Sequence, residues 1–195
     1  MEQKVKIPLS EKMKSIPGFF GIRLDKHPDH KVLKQEAGFE VREYENLLVA
    51  KTSNKSTYET ATKSSFMRLA GYIFGGNHDY KNIDMTSPVF IENKIDGWLM
   101  TFVLPNDLNL GALPKPIDKL VELSTEASKK WAVLRYTGIP TELLMKEMAK
   151  KLKSSVELTG KYQIISEPRW AQYDGPMVIP FLRRNEVQMQ VETIQ

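Results

Sequence analysis

A chain of 195 residues, 41% hydrophobic and 27% charged, has the apolar content of a globular domain with a real core and too little length for two full-sized domains. It holds no cysteine, which excludes disulfides, thiolate ligands and cysteine nucleophiles. Its net charge of +4, from 28 basic and 24 acidic residues, is spread along the chain without a basic stripe carrying interleaved aromatics, so the expected partner is an anionic small molecule and not a nucleic acid.

Residues 1–29 hold Pro8, Pro17, Gly18, Gly21 and Pro28 with little periodicity. They read as an arm lying over the domain, pinned by Phe19, Phe20 and Ile22. Lys4 and Lys6 are followed by no apolar stretch of the kind a secretory leader carries. No run approaches the roughly 18 apolar residues of a membrane span, so a cytoplasmic location is the default expectation. The domain itself spans 30–195.

Strand signals begin at 31–35 and continue, after a turn at Ala37-Gly38, into 39–44, where Phe39, Val41 and Tyr44 mark an apolar face. A third strand, 47–52, has the continuous apolar character of a buried one. Ser56 with Glu59 three residues on has the form of a capping box, opening a helix over 56–74 that Gly75-Gly76 ends. Two strands follow, 85–92 and 98–104, with turn material at Ile95-Asp96-Gly97. The Pro/Gly/Asn-rich stretch 105–116 marks the midpoint.

The second half repeats the first in kind. Strands are expected at 120–124 and 131–136, a helix capped by Thr141 over 141–154, and strands within 162–173 and 186–191. The similar triplets Val49-Ala50-Lys51 and Val133-Leu134-Arg135, each ahead of a helix, fit an internal duplication, with halves of about 30–105 and 117–192. The expected fold is α+β: a distorted antiparallel β-barrel flanked by two helices and built from two pseudo-symmetric halves.

Six segments in register now carry a resemblance. They are Phe39-Glu40-Val41-Arg42-Glu43-Tyr44, the helix end from Arg68 to Asn77, Ile83-Asp84-Met85-Thr86-Ser87-Pro88-Val89, Leu113-Pro114-Lys115-Pro116, Tyr173-Asp174-Gly175-Pro176, and the close from Pro180 to Val187. In order and spacing, from about His30 to Glu192, the chain resembles the SOUL haem-binding protein family. The resemblance implies the same two-helix, two-half barrel, and it implies non-covalent binding of haem or another tetrapyrrole, with no reaction shared across the family.

At 100° per residue, Tyr58, Ala61, Thr62, Ser65, Phe66, Leu69, Tyr72 and Ile73 share the face of the first helix expected to pack on the sheet. The opposite face carries Thr60, Lys63, Met67, Ala70, Gly71 and Phe74. A flat porphyrin needs apolar surface with a cation at its edge for the propionates. This face therefore offers a site of Lys63, Met67, Ala70, Gly71 and Phe74, and since the family's ligand site is associated with this helix, the resemblance implies Lys63 as the propionate partner. Isolated apolar side chains are also ordinary on surfaces, and a loop could cover these.

The iron ligand stays open. Histidine is the commonest metal ligand, but His27 and His30 flank Pro28, which forbids a regular helix. His78, after Asn77, is the candidate nearest the proposed face, and Met67 is a thioether alternative. Ser87 and Thr86 lack a base oriented by a third group, so no catalytic residue is assigned and no enzyme is expected. Arg183 and Arg184 could meet propionates or tie the last strand to a carboxylate such as Glu43 or Asp174. Trp98, Trp131 and Trp170 are expected in the core or at the barrel rim.

The leading reading is therefore a haem or tetrapyrrole carrier, buffer or sensor. The alternative is a small-molecule effector- or drug-binding barrel of the bacterial type, or a hydrolase built on it. A site for hydrophobic cations needs a buried carboxylate facing aromatic rings, whereas a porphyrin site needs a basic rim. Lys63 favours the latter.

Overall fold

The structure, a computed structural model, describes residues 27–194. The expected arm over 1–29 falls, apart from 27–29, outside the described residues. In chain order these residues form β1 (His30–Glu36), β2 (Phe39–Tyr44), β3 (Leu47–Asn54), α1 (Tyr58–Ile73), β4 (Val89–Lys94), β5 (Gly97–Val103), β6 (Glu122–Glu126), β7 (Lys129–Tyr136), α2 (Glu142–Thr159), β8 (Tyr162–Ile164), β9 (Arg169–Gln172) and β10 (Asn185–Thr193).

Every strand pairing is antiparallel. The sheet runs β1-β2-β7-β10-β9-β4-β5-β3-β6, with β8 added beside β10. It curls into a half-barrel, the α+β architecture expected. Exchanging β2 with β6, β3 with β7, β4 with β9 and β5 with β10 turns the order from β2 to β6 into its own reverse. The two halves are thus related by a pseudo-twofold that passes between β4 and β9, where Phe90 opposes Ala171. The similar triplets Val49-Ala50-Lys51 and Val133-Leu134-Arg135 lie in the equivalent strands β3 and β7.

Several boundaries differ from the sequence expectation, each for a local reason. Thr57, one residue past Ser56, stands at the cap position of α1, without a side-chain cap bond, and the Ser56 N–H donates to Asn54 Oδ1 at 2.9 Å. The strand expected from Met85 starts only at Val89, because the Thr86 hydroxyl takes the Val103 carbonyl at 2.7 Å and Pro88 has no N–H to give. The stretch 162–173 splits into β8 and β9 around Glu167-Pro168. Thr141 does cap α2, its Oγ1 accepting the Leu144 N–H at 3.3 Å. That helix runs past 154 to Thr159, where Gly160 takes the left-handed conformation at φ 63°.

Both helices cover one face of the sheet, α1 on β3 and β5, α2 on β2, β7, β8 and β10. Leu69 and Ile73 of α1 and Met145, Leu152 and Val156 of α2 are buried with Phe102, Leu104, Val187 and Val191 in one continuous core. Trp98 and Trp170 belong to it, while Trp131 is buried on the other face. The end of α1 is tied down by Tyr72, whose hydroxyl donates to Pro114 O at 3.1 Å and whose phenol burial pushes up to about 12.

The other face buries charge. The Glu186 carboxylate accepts from Arg42 at 2.9 and 3.2 Å, Arg184 at 2.8 and 3.2 Å, Tyr173 OH at 2.9 Å and Gln188 at 3.1 Å. Arg42 also meets Glu40. Arg169 is stacked between the rings of Trp131, at 3.6 Å, and Phe90, at 3.8 Å, and its Nε donates to Gln188 at 3.0 Å. Burial pushes this guanidinium below its ordinary value.

Gly97 closes the β4–β5 hairpin at φ +120°, and a Cβ there would stand 2.3 Å from Asn54 O and 2.7 Å from Lys55 Cα. Gly97→Ala is therefore expected to lose about 2–3 kcal/mol of stability from strain and collision with backbone, measured as a lower urea midpoint at unchanged m-value.

Candidate functional site

The first turns of α1 do more than pack on the sheet. Tyr58, Thr62 and Phe66 recur every four residues, and Lys63 and Met67 stand one step round the helix. Together they form one wall of a cleft of about 470 Å³, within the roughly 300–1,000 Å³ of small-molecule sites. Its floor is Met85, Val89, Ile91 and Met100, from β4, β5 and the segment leading into β4. The opposite wall comes from the second half of the chain: Ile139 and Pro140 ahead of α2, then Gln172, Tyr173 and the β9–β10 loop through Asp174, Gly175, Pro176 and Arg183.

Hydrogen bonds between the halves set the width. Tyr58 OH donates to Pro140 O at 2.8 Å and accepts from Gln172 Nε2 at 3.3 Å, and burial raises its pKa. Phe66 packs edge-on against Phe102, with centroids 5.4 Å apart. Two cations line the cleft, Lys63 on the helix and Arg183 on the loop. The one carboxylate among the described residues lining it, Asp174, accepts the Arg184 backbone N–H at 2.6 Å. The loop itself is held by Arg183, whose Nε donates to Val178 O at 2.8 Å, and by Arg184, stacked 3.8 Å from the Tyr173 ring and ion-paired to Glu186. Met67, Ile139, Met177, Ile179 and Phe181, in the segments bordering the cleft, are exposed.

Of the candidate residues, Lys63 and Met67 line the cleft. Ala70 and Phe74 do not: both are buried in the main core. They share the angular face of Lys63 and Met67, but one to two turns further along the helix. There the chain folds back over them, with Gly76 N–H on Gly71 O at 2.8 Å and Ile83 N–H on Ile73 O at 2.8 Å. Gly71 sits in that fold-back and outside the cleft. Tyr58 and Phe66, assigned by periodicity to the sheet-packing face, do pack against the core, on Trp98 and Phe102, and with Thr62 they also line the cleft. Arg183 and Arg184 divide the two roles weighed for them: the first reaches the cleft, the second ties the last strand to Glu186.

His78 is exposed in the loop after α1 and lies away from the cleft. His30 packs on Tyr44, with ring centroids 5.3 Å apart. His27 Nδ1 lies 2.8 Å from Ser87 Oγ and 3.2 Å from Ser87 O, and its ring meets Tyr173 edge-on at 5.4 Å. Among the described residues His27 has no carboxylate partner to orient it as a base. Nor do these residues bring three His, Asp or Glu side chains together as a metal site, and no helix among them is long and apolar enough to cross a membrane. A second, smaller cavity of about 280 Å³ is lined by Leu47, Leu48, Leu108 and Leu110 together with Asp29, Glu45 and three asparagines; two carboxylates and no cation stand among its described lining residues.

A family model described as SOUL heme-binding protein matches residues 25–190. Heme-binding protein 1 of Xenopus tropicalis is 28% identical over 162 residues, 79% of this chain and 84% of that protein. Among solved structures, the cryo-EM structure of an EcmrR–DNA complex matches with a TM-score of 0.59 at 15% identity over 79% of this chain, which spans 57% of the length of that one. A crystal structure of a hydrolase from Listeria innocua matches with a TM-score of 0.53 at 12% identity, over 82% of this chain and 94% of that one. At such identities these two structures share the fold.

Proposed function

The chain belongs to the SOUL heme-binding protein family, and from that premise we propose that the cleft between α1 and the β9–β10 loop is its site for haem or a related tetrapyrrole, carried, buffered or sensed by the protein. The observation that carries this reading is the pairing of an apolar floor and wall with two cations, Lys63 and Arg183. A porphyrin buries its flat hydrocarbon face and keeps its propionates at an edge. Aromatic and methionine side chains suit the face, methionine because its unbranched thioether adapts to an irregular contact. Guanidinium and ammonium groups suit the propionates.

Binding is non-covalent. With no cysteine in the chain, there is no thiol to attach a vinyl group. A hydrophobic cation would instead call for carboxylate in excess among the aromatic rings, whereas the described residues lining the cleft set one carboxylate, Asp174, against two cations, Lys63 and Arg183. The haem iron supplies whatever redox or ligand chemistry the complex has. The chain's own contribution is to bind the ring, shield it from water and neutralise its carboxylates.

The test is titration of the purified protein with haemin, followed at the Soret band. Saturable binding at one equivalent is expected, and absence of a saturable shift would refute the reading. Lys63 is exposed, so its ion pair is worth about 1 kcal/mol or less. Lys63→Gln, which removes the charge without reversing it, should accordingly weaken haemin by no more than about fivefold, and by more at low salt than at high. His78→Ala should leave the titration unchanged, since uptake on this reading rests on the apolar cleft and its cations.

A further inference from the structure

We propose that the mouth of the cleft docks on an anionic lipid bilayer: the β9–β10 loop seats Met177, Ile179 and Phe181 in the membrane interface while lysines of α2 rest on the headgroups. The docking stands on its own observations, and only its meaning, exchange of ligand with the cleft at a membrane, rests on the tetrapyrrole reading. The first observation is the loop itself. The stretch 175–182 carries no charged residue, yet Met177, Ile179 and Phe181 are 67%, 52% and 70% exposed. In the other walls of the cleft and the first turn of α2, Met67, Ile139 and Leu143 are exposed as well. Single apolar side chains on a surface are ordinary, but a group of them around one opening marks a surface for protein or membrane.

The second observation favours the membrane. A loop that enters lipid needs its backbone polar groups satisfied from within the protein. Pro176 and Pro180 have no N–H to satisfy. The carbonyls of Gly175, Ile179 and Pro180 accept the N–H groups of Val178, Leu182 and Arg183 at 3.2, 2.9 and 3.2 Å, and Pro180 O also accepts the Gly138 N–H at 3.0 Å. The Arg183 side chain takes two more carbonyls, donating from Nε to Val178 O at 2.8 Å and from Nη2 to Pro176 O at 2.5 Å. The loop therefore points apolar side chains outward and keeps these carbonyls occupied, which suits hydrocarbon better than backbone pairing with a peptide. The third observation is charge. α2 starts two residues after Pro140 of the cleft wall and over 142–153 sets Lys146, Lys150, Lys151 and Lys153 against Glu142 and Glu147. Leu143, Lys146 and Lys150 are exposed and share one stripe of the helix, apolar beside the cleft and basic beyond it. Apolar side chains flanked by basic ones hold a peripheral protein on an anionic interface.

Co-sedimentation of the full chain with vesicles of phosphatidylcholine and phosphatidylserine tests the docking, and it needs no haem. Saturable binding is expected, at least about tenfold weaker on phosphatidylcholine alone. Ile179→Asp with Phe181→Asp should weaken binding at least about tenfold. Ile95→Asp with Leu158→Asp makes the same charge change at two exposed side chains, in the β4–β5 turn and the last turn of α2, and should stay within about twofold of the parent. Lys146→Gln with Lys150→Gln should weaken binding at least about fivefold. The chain has no native cysteine, so an environment-sensitive dye can be placed singly. On Met177→Cys it should shift to the blue on vesicles and be quenched by spin-labelled acyl chains; on Leu158→Cys it should do neither. No sedimentation, equal losses in the loop pair and the control pair, or a water-like dye at position 177 in bound protein would overturn the proposal. Haemin uptake without vesicle binding would refute docking and leave the tetrapyrrole reading standing. Vesicle binding through the loop by a chain that takes no haemin would do the reverse.

Discussion

Glu186→Ala is expected to lose about 3–5 kcal/mol of folding stability, the largest effect of any single substitution considered for this protein, read from urea denaturation. Its side chain is fully buried and accepts from Arg42, Arg184, Tyr173 and Gln188. Alanine would take one of two carboxylate partners from the 7%-exposed Arg42 side chain, leaving it Glu40 alone, and would remove the ion-pair partner of Arg184 and the acceptor of Tyr173. Glu186→Gln keeps the shape and one acceptor oxygen, so it should lose less. A loss no larger than that of an ordinary surface substitution, within about 0.5 kcal/mol, would show that the network is not holding the sheet together.

The same residue sets an acid limb to stability. Burial by itself would raise the Glu186 carboxyl, but the charges and hydrogen bonds of Arg42 and Arg184 overcome it and hold the group below the usual carboxylate range. A carboxyl lowered in the folded state stabilises it at every pH above the unfolded value of about 4.3, and that contribution is lost as pH falls through the folded value. Parent protein should therefore lose stability more steeply below about pH 4 than Glu186→Gln does. Haemin affinity should fall in Glu186→Ala as well, because Tyr173 and Arg184 hold the loop that forms one cleft wall.

The second large effect is expected in the cleft. Met67→Asp combined with Met85→Asp sets two carboxylates against the face of a bound porphyrin, where they would lose water without gaining a partner. Desolvating unpaired charge costs several kcal/mol, so haemin should bind about a hundredfold or more weakly, with 1.4 kcal/mol for each factor of ten. Met67 is largely exposed and Met85 only partly buried, so the variant should still fold, as far-ultraviolet circular dichroism would establish. Parent-like haemin affinity in a folded variant would move the site elsewhere.

The relation between chain and cleft shows how far periodicity reaches. On α1 the 100° rotation separates Leu69 and Ile73, which face the core, from Lys63 and Met67, which line the cleft. It carries no information about position along the axis. Ala70 and Phe74 share the angle of Lys63 and Met67 but are covered by the chain that returns after Gly75. Phe66 looks like core at 100° per residue and does pack on Phe102 and the main core, while the rest of its ring lines the cleft. Caps show the same limit at short range. Thr141 caps α2 as its sequence implies, whereas the cap position of α1 falls at Thr57 and not at Ser56, a shift of one residue that residue preferences alone do not decide.

By itself the sequence determined the α+β class, ten of the local segments within a few residues, the duplication and the family likeness. These follow from alternation over two residues, recurrence over three or four, and motifs kept in order, all of which are local or linear properties of the chain. Tertiary structure alone decided that the halves pair about β4 and β9, that Glu186 gathers two arginines, and that the cleft joins α1 to the β9–β10 loop. Tyr58 and Gln172, hydrogen-bonded across that cleft, stand 114 residues apart. Their meeting is set by how a twisted sheet curls and where two helices come to rest on it, and no repeat in the sequence encodes a distance of that kind.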